Sequence, residues 1–354
     1  MRDEEYGHIM NLFKQVVEDE KLNQNFKSIM SIQNSSARDV LTEWAEGFKD
    51  RDGKFVKEFQ TTFNSSFWEL YLFAVLKKFA YKSDFSKSRP DFVIPEQNFC
   101  IEATIADNPQ GGLPEYIQNE INIPTDLNNF NRKSIIRLSN SILSKHKKYI
   151  ESYSNLNHVK GKPFIIAVAS YDQPFFFFEC QRPIEAVLYK YYVDEEEWIK
   201  KESSDKQIFA QKLAKVNKDN GSLIKLGLFC EPKYSDISAV IYSSCATWGK
   251  VRALSKSLDS GVLFTALRLN MHSPKPFIYS GKKPEYSESL LDGLRVYLNP
   301  MAKHPLSPLI FRHPDVFQSY FSKTIGDWIY EQYDGQLLNR FLISTTDNST
   351  VIKN

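Results

Sequence analysis

No stretch of this 354-residue chain runs to about 18 uncharged apolar residues, so a membrane-spanning helix is not expected. The opening residues MRDEEYGHIMNLFKQ lack the apolar core of a secretory leader. Cysteine is scarce: Cys100, Cys180, Cys230 and Cys245 form no C-x-x-C pair, and Cys100 and Cys180 sit in apolar runs where a thiol behaves as a small hydrophobe. A reducing cytoplasm suits that pattern better than a disulfide framework. Charge of one sign is also missing. The balance of +2 announces no polyanion through the field of the whole molecule, so any nucleic-acid contact has to come from local patches. The phosphate loop GxxxxGK[ST], the dinucleotide fingerprint GxGxxG and the nucleophile elbow GxSxG are all absent, which removes the usual NTPase, dinucleotide and serine-hydrolase readings. His304 and His313 lie in a proline-rich segment without a cysteine or acid at ligand spacing, so zinc is not expected.

What is present is an ordinary globular composition, 42% hydrophobic and 25% charged, with 26 Phe and 18 Tyr that point to an aromatic-rich core. The length allows one large α/β domain or two closely packed ones. Apolar spacing in IMNLFKQVV and ARDVLTEWAEGF predicts helices within residues 8–50, and SFWELYLFAVLKKFA predicts a helix over 66–80. Strands are expected at 91–95 and 99–105, then a loop over 107–130, a helix over 131–150 and a buried strand in KPFIIAVAS. Later expectations are a helix near 183–191, a solvated stretch over 194–219, strands in ISAVIYS and VLFTALRL, and an irregular tail from 284 to 320. With no repeat and no low-complexity linker, one compact unit is favoured.

The stretch RPDFVIPEQNFCIEAT carries the chemistry. A hairpin turn at PEQN pairs residues whose numbers have one constant sum, which puts Asp91 opposite Glu102. Directly paired side chains share a sheet face at about 5 Å, so two carboxylates there repel unless a cation lies between them. Oxygen ligation completed by water suits Mg²⁺. The plainer alternative leaves Asp91 at the strand's mouth in solvent and Glu102 on a wet face. Glu69 is a third acid, the only charged residue between Asn64 and Lys77, and an ionised carboxylate in such surroundings needs a partner. Its S-x-x-E spacing from Ser66 also fits a capping box, and the two roles are compatible. Over 131–150, Ile135, Leu138, Ile142 and Tyr149 form an apolar stripe, and Lys145 fills its gap. Lys145 therefore points inward, or snorkels along the core. Arg132, Lys133, Arg137, Lys147 and Lys148 make that helix basic elsewhere, to meet phosphates or to solvate it.

A helix with an embedded Glu, then PD, then a strand with E-A-T resembles the core of the PD-(D/E)XK nuclease superfamily over roughly residues 60–170. SSCATWGKVRALS and LNPMAKHPLSP also resemble uncharacterised bacterial proteins with this core. The resemblance implies a restriction-endonuclease-like α/β fold, a mixed central sheet flanked by helices. An N-terminal helical segment (1–58), a nuclease core (59–175) and an α/β extension (176–354) would divide it. It implies a Mg²⁺- or Mn²⁺-dependent endonuclease acting on DNA, with RNA as an alternative, of the bacterial restriction or phage-defence type. A homodimer or partner subunit would fit. Asp91, Glu102 and Ala103 would hold the metal, Glu69 would assist, and Thr104, Arg132 and Arg137 would meet substrate. The family's lysine two residues after the second acid is here Thr104, which carries no charge. Either Lys145 replaces it, a known kind of variation, or catalysis is lost and a nucleic-acid-binding or scaffold protein remains.

Overall fold

In the computed structural model, which describes residues 10–200, 210–257, 261–346 and 349–353, helices come first. α1 (Gln24–Met30), α2 (Ser35–Ala45) and α3 (Phe55–Thr61) precede α4 (Asn64–Lys78). The Asn23 side chain accepts the amide of Asn25 at the start of α1, satisfying a donor that the first helical turn leaves free. α4 is apolar on nearly every side, which only full burial tolerates, and every residue from Ser66 to Leu76 except Glu69 is buried.

β1 (Phe92–Ile94) and β2 (Phe99–Asp107) follow as a hairpin. Asn98 closes its turn with φ of 56°, a left-handed conformation that asparagine tolerates. α5 (Leu127–Lys148) begins where the Asp126 side chain accepts the amide of Asn129. It carries the chain across to β3 (Phe164–Tyr171), which lies parallel to β2, a pairing that requires such a crossover. α6 (Arg182–Tyr189) comes next. β4 (Tyr191–Tyr192) and β5 (Gln211–Lys212) pair on either side of α7 (Glu195–Lys200), and β6 (Lys215–Asn217) and β7 (Leu223–Lys225) form a small hairpin. Then come β8 (Ala239–Ser243), α8 (Trp248–Leu254), β9 (Val262–Arg268), β10 (Phe277–Gly281), β11 (Arg295–Leu298), β12 (Phe317–Ser322), β13 (Asp327–Glu331), β14 (Leu337–Thr346) and β15 (Ser349–Lys353).

The result is a mixed α/β molecule. A seven-stranded mixed sheet runs β1-β2-β3-β8-β11-β12-β13, and a four-stranded sheet runs β10-β9-β14-β15. Strand alternation sends Ile101, Ile165, Ala167 and Ile241 into the core under α2 and α4, and Cys100, Phe164, Ile166 and Val240 into the core under α5 and α6. β3 is buried at every residue, hence its unbroken apolar sequence. Among the described residues no helix is long and apolar enough to cross a membrane.

Three expectations fail. Residue 9, the first of IMNLFKQVV, lies outside the described residues, and 10–17 are not helical. There the backbone bonds go to side chains: Gln60 donates to the carbonyls of Leu12 and Lys14 and accepts the amide of Val16, and Asn11 accepts the amides of Phe13 and Lys14. The capping box fails because α4 starts two residues before Ser66. The tail from 284 to 320 is not irregular throughout, since β11 lies inside the large sheet between β8 and β12. Its arginine hid it: Arg295 is buried, with its guanidinium 5.1 Å from the Phe317 ring centre.

Candidate active site

The hairpin fixes the first two acids. Its register is Phe92↔Ile101, Val93↔Cys100, Ile94↔Phe99, and one step further Asp91 comes beside β2, where its Oδ2 accepts the Ala103 amide at 2.7 Å. Glu102 points to the α5 side, between Cys100 and Thr104 on the same strand face. Its side chain is 1% exposed. One oxygen, Oε1, accepts from Lys145 Nζ at 2.7 Å, from Lys148 Nζ at 3.1 Å and from the Tyr153 hydroxyl at 3.1 Å. The other, Oε2, is buried without a hydrogen-bond partner.

Local geometry explains the two lysines and the tyrosine. Lys145 follows Ile142 by three residues on the buried stripe of α5, and Lys148 is one turn further on the same side. A π-helical turn over Tyr149–Tyr153 extends α5 and brings Tyr153 back over the sheet. Burial and the neighbouring Glu102 push the Tyr153 phenol well up, so it stays a donor.

Glu69 approaches from α4 on the other side of the hairpin. Arg51, in the loop before α3, stands between it and Asp91: Nη2 is 3.9 Å from Glu69 Oε1 and 3.9 Å from Asp91 Oδ1. Nη1 donates to the carbonyls of Lys87 and Pro90, which anchors the guanidinium. Burial pushes Glu69 up to about 8, helped by Asp91 and opposed by Arg51. Asp91 rises to about 6, through burial and then Glu102, against the pull of Lys145, the Ala103 amide and Arg51. Both carboxyls keep about a quarter of their side-chain surface open, 22% and 27%, so this is a crevice rather than sealed core.

The remaining sequence candidates are placed differently. Thr104 is half-buried on the Glu102 face. Arg132 turns to the β6–β7 hairpin, donating to the Asn217 carbonyl and Asp219. Arg137 donates to the carbonyls of Asp107 and Asn108, holding the end of β2. Arg132 and Arg137 are thus engaged in holding the fold. Among the described residues no three His, Cys, Asp or Glu side chains gather closely enough to hold a metal ion by themselves. Mg²⁺ does not require three, because it commonly keeps several waters and takes one or two carboxylates. Asp91 with the unpartnered Glu102 Oε2 fits that demand.

Sequence reasoning missed Arg51, Tyr153 and the part played by Lys148. Arg51 sits in the polar loop KDRDG, which carries no periodic signal. No protein-family model matches the chain, and neither a curated protein nor a solved structure matches it.

Proposed function

We propose that this protein is a Mg²⁺- or Mn²⁺-dependent nuclease of the restriction-endonuclease-like kind, hydrolysing phosphodiester bonds in DNA. The observation that carries the proposal is the 2.7 Å contact of Lys145 with Glu102. It brings a cation from the crossover helix to the strand face where the superfamily's own lysine would stand and where this chain has Thr104. The order of elements supports the same reading: a helix with an embedded acid, a hairpin with Asp91 and Glu102, a crossover helix and a parallel strand.

Asp91 and Glu102 would hold the metal, whose charge offsets the negative charge that grows on the phosphate during hydrolysis. Lys145, oriented by Glu102, holds and polarises the attacking water and stabilises developing charge. Lys148, half exposed, reaches the phosphate from the solvent side. Arg51 keeps Glu69 and Asp91 from repelling each other while the site is free of metal.

A second reading, a nucleic-acid-binding protein without catalysis, is favoured by one feature. Two ammoniums already flank Glu102, so its charge is matched without a metal. Incubation of supercoiled plasmid, single-stranded DNA and RNA with Mg²⁺ or Mn²⁺ separates the readings. Cleavage by the parent, lost by a factor of about 10²–10³ in Lys145→Ala, supports the nuclease. Binding without cleavage of any substrate leaves the second reading.

A further inference from the structure

A second acidic pair lies at the carboxyl ends of the parallel strands. Asp172 directly follows β3 and is 2% exposed, and Glu179 is fully buried. Ser134 of α5 donates to Asp172 Oδ2 at 2.7 Å and in turn accepts from Gln173 Nε2 at 2.7 Å. Tyr242 of β8 donates to Glu179 Oε1 at 2.6 Å, and Ser170 of β3 lies 3.4 Å from the same hydroxyl. Asp172 Oδ1 and Glu179 Oε2 are both buried with no hydrogen-bond partner.

Opposed charges act on Asp172. Arg137 on α5 draws Asp172 down through space while Asp107 at the end of β2 pushes it up, and the Arg137 Nε and Nη2 atoms donate to carbonyls. Arg182 at the start of α6 donates from Nη1 to the carbonyls of Phe178 and Glu179. Two ionised carboxylates in such surroundings repel at low dielectric and leave two acceptors without donors. A proton on either acid cancels one of the two charges and turns an orphaned acceptor into a donor. Burial accordingly pushes Asp172 up to about 6 and Glu179 up to about 8.

We infer that Asp172 and Glu179 together retain a proton near neutral pH and form a pH-sensitive latch, in which Ser134 fastens α5 to Asp172 at the end of β3 and Tyr242 fastens Glu179 to β8. The latch closes through Ser134 from α5 and Tyr242 from β8, and it does not depend on the nuclease reading. A carboxyl whose folded pKa lies above its unfolded value gives stability that is present at low pH and is lost as pH climbs through the folded pKa. The latch therefore weakens between about pH 5 and about pH 8.

Glu179→Gln mimics the protonated acid and can still accept from Tyr242. In thermal melts from about pH 5 to about pH 9, its Tm is expected to match the parent's at the acid end and to exceed it at the alkaline end. The difference between the two isolates this pair from Glu69, Asp91 and Glu185, which burial also raises. Infrared spectra near neutral pH should lose a protonated-carboxyl band in the variant. Parallel melting curves, a variant that fails to fold at about pH 8 where the parent folds, or an unchanged carboxyl band would each overturn the latch. So would a parent stabilised at alkaline pH by added Ca²⁺ or Mg²⁺ when Glu179→Gln is not, because a cation would then hold the pair.

Discussion

Removing the Lys145 ammonium should destabilise the fold, because Glu102 lies behind it with its side chain 1% exposed. At 2.7 Å, an effective dielectric constant of about 20 gives an attraction of roughly 6 kcal/mol, before the desolvation that opposes it. Breaking a buried pair from one side typically costs about 3–5 kcal/mol. Here Lys148 and Tyr153 still donate to Oε1, so Lys145→Met is expected to cost about 2–3 kcal/mol. Lys148 is half exposed and screened by water, so Lys148→Met should cost less than about 1 kcal/mol. Tyr153→Phe removes a buried donor and should cost about 1 kcal/mol. Urea melts of Lys145→Met, Glu102→Gln and the double variant close a cycle whose coupling should lie at about 1–3 kcal/mol. A coupling indistinguishable from zero, or equal losses for the two lysines, would refute the assignment of Lys145 as the principal partner of Glu102.

Two further outcomes concern the metal and its neighbours. The folded pKa values of Glu69 and Asp91 are raised to about 8 and about 6, so metal-free stability falls as pH rises through that window, while a bound cation needs the ionised acids. Millimolar Mg²⁺ should therefore raise Tm more at pH 8 than at pH 6, and an equal or absent shift at both would count against the site. Arg51→Gln should lower the metal-free Tm at pH 8 and much less at pH 5.5, where both acids carry protons and need no cation. A drop that ignores pH would mean that the carbonyls of Lys87 and Pro90, rather than the acids, are the partners that matter.

The parts of the fold and candidate site that were legible in the sequence are those governed by rules acting within a few residues. A short turn fixes hairpin register, so PEQN was enough to set Asp91 beside β2 and pair Ile94 with Phe99. Helical spacing put Lys145 on the buried stripe of α5, since a polar residue in the gap of an apolar row must face what the row faces. The unbroken run of β3 announced burial on both faces. Local rules misled where a distant group took over. Gln60 takes the backbone groups of Leu12, Lys14 and Val16 that a helix would otherwise have paired, and Arg295 breaks the apolar pattern of a strand buried at all four positions.

Arg51 marks where such reading stops. Its place between Glu69 and Asp91 follows from the path of the loop before α3, from α4 packing on one face of the sheet, and from carbonyls in the segment before β1. None of these leaves a trace in the residues around it. The cations near the acids therefore divide by origin. Lys145 comes from a regular element and could be found by its period, whereas Arg51 comes from a loop and needed coordinates. Because Arg51 lies 3.9 Å from both Glu69 and Asp91, any cation entering between those acids must displace or share with its guanidinium. Entry of a cation into this crevice would thus depend on a residue that no motif contains.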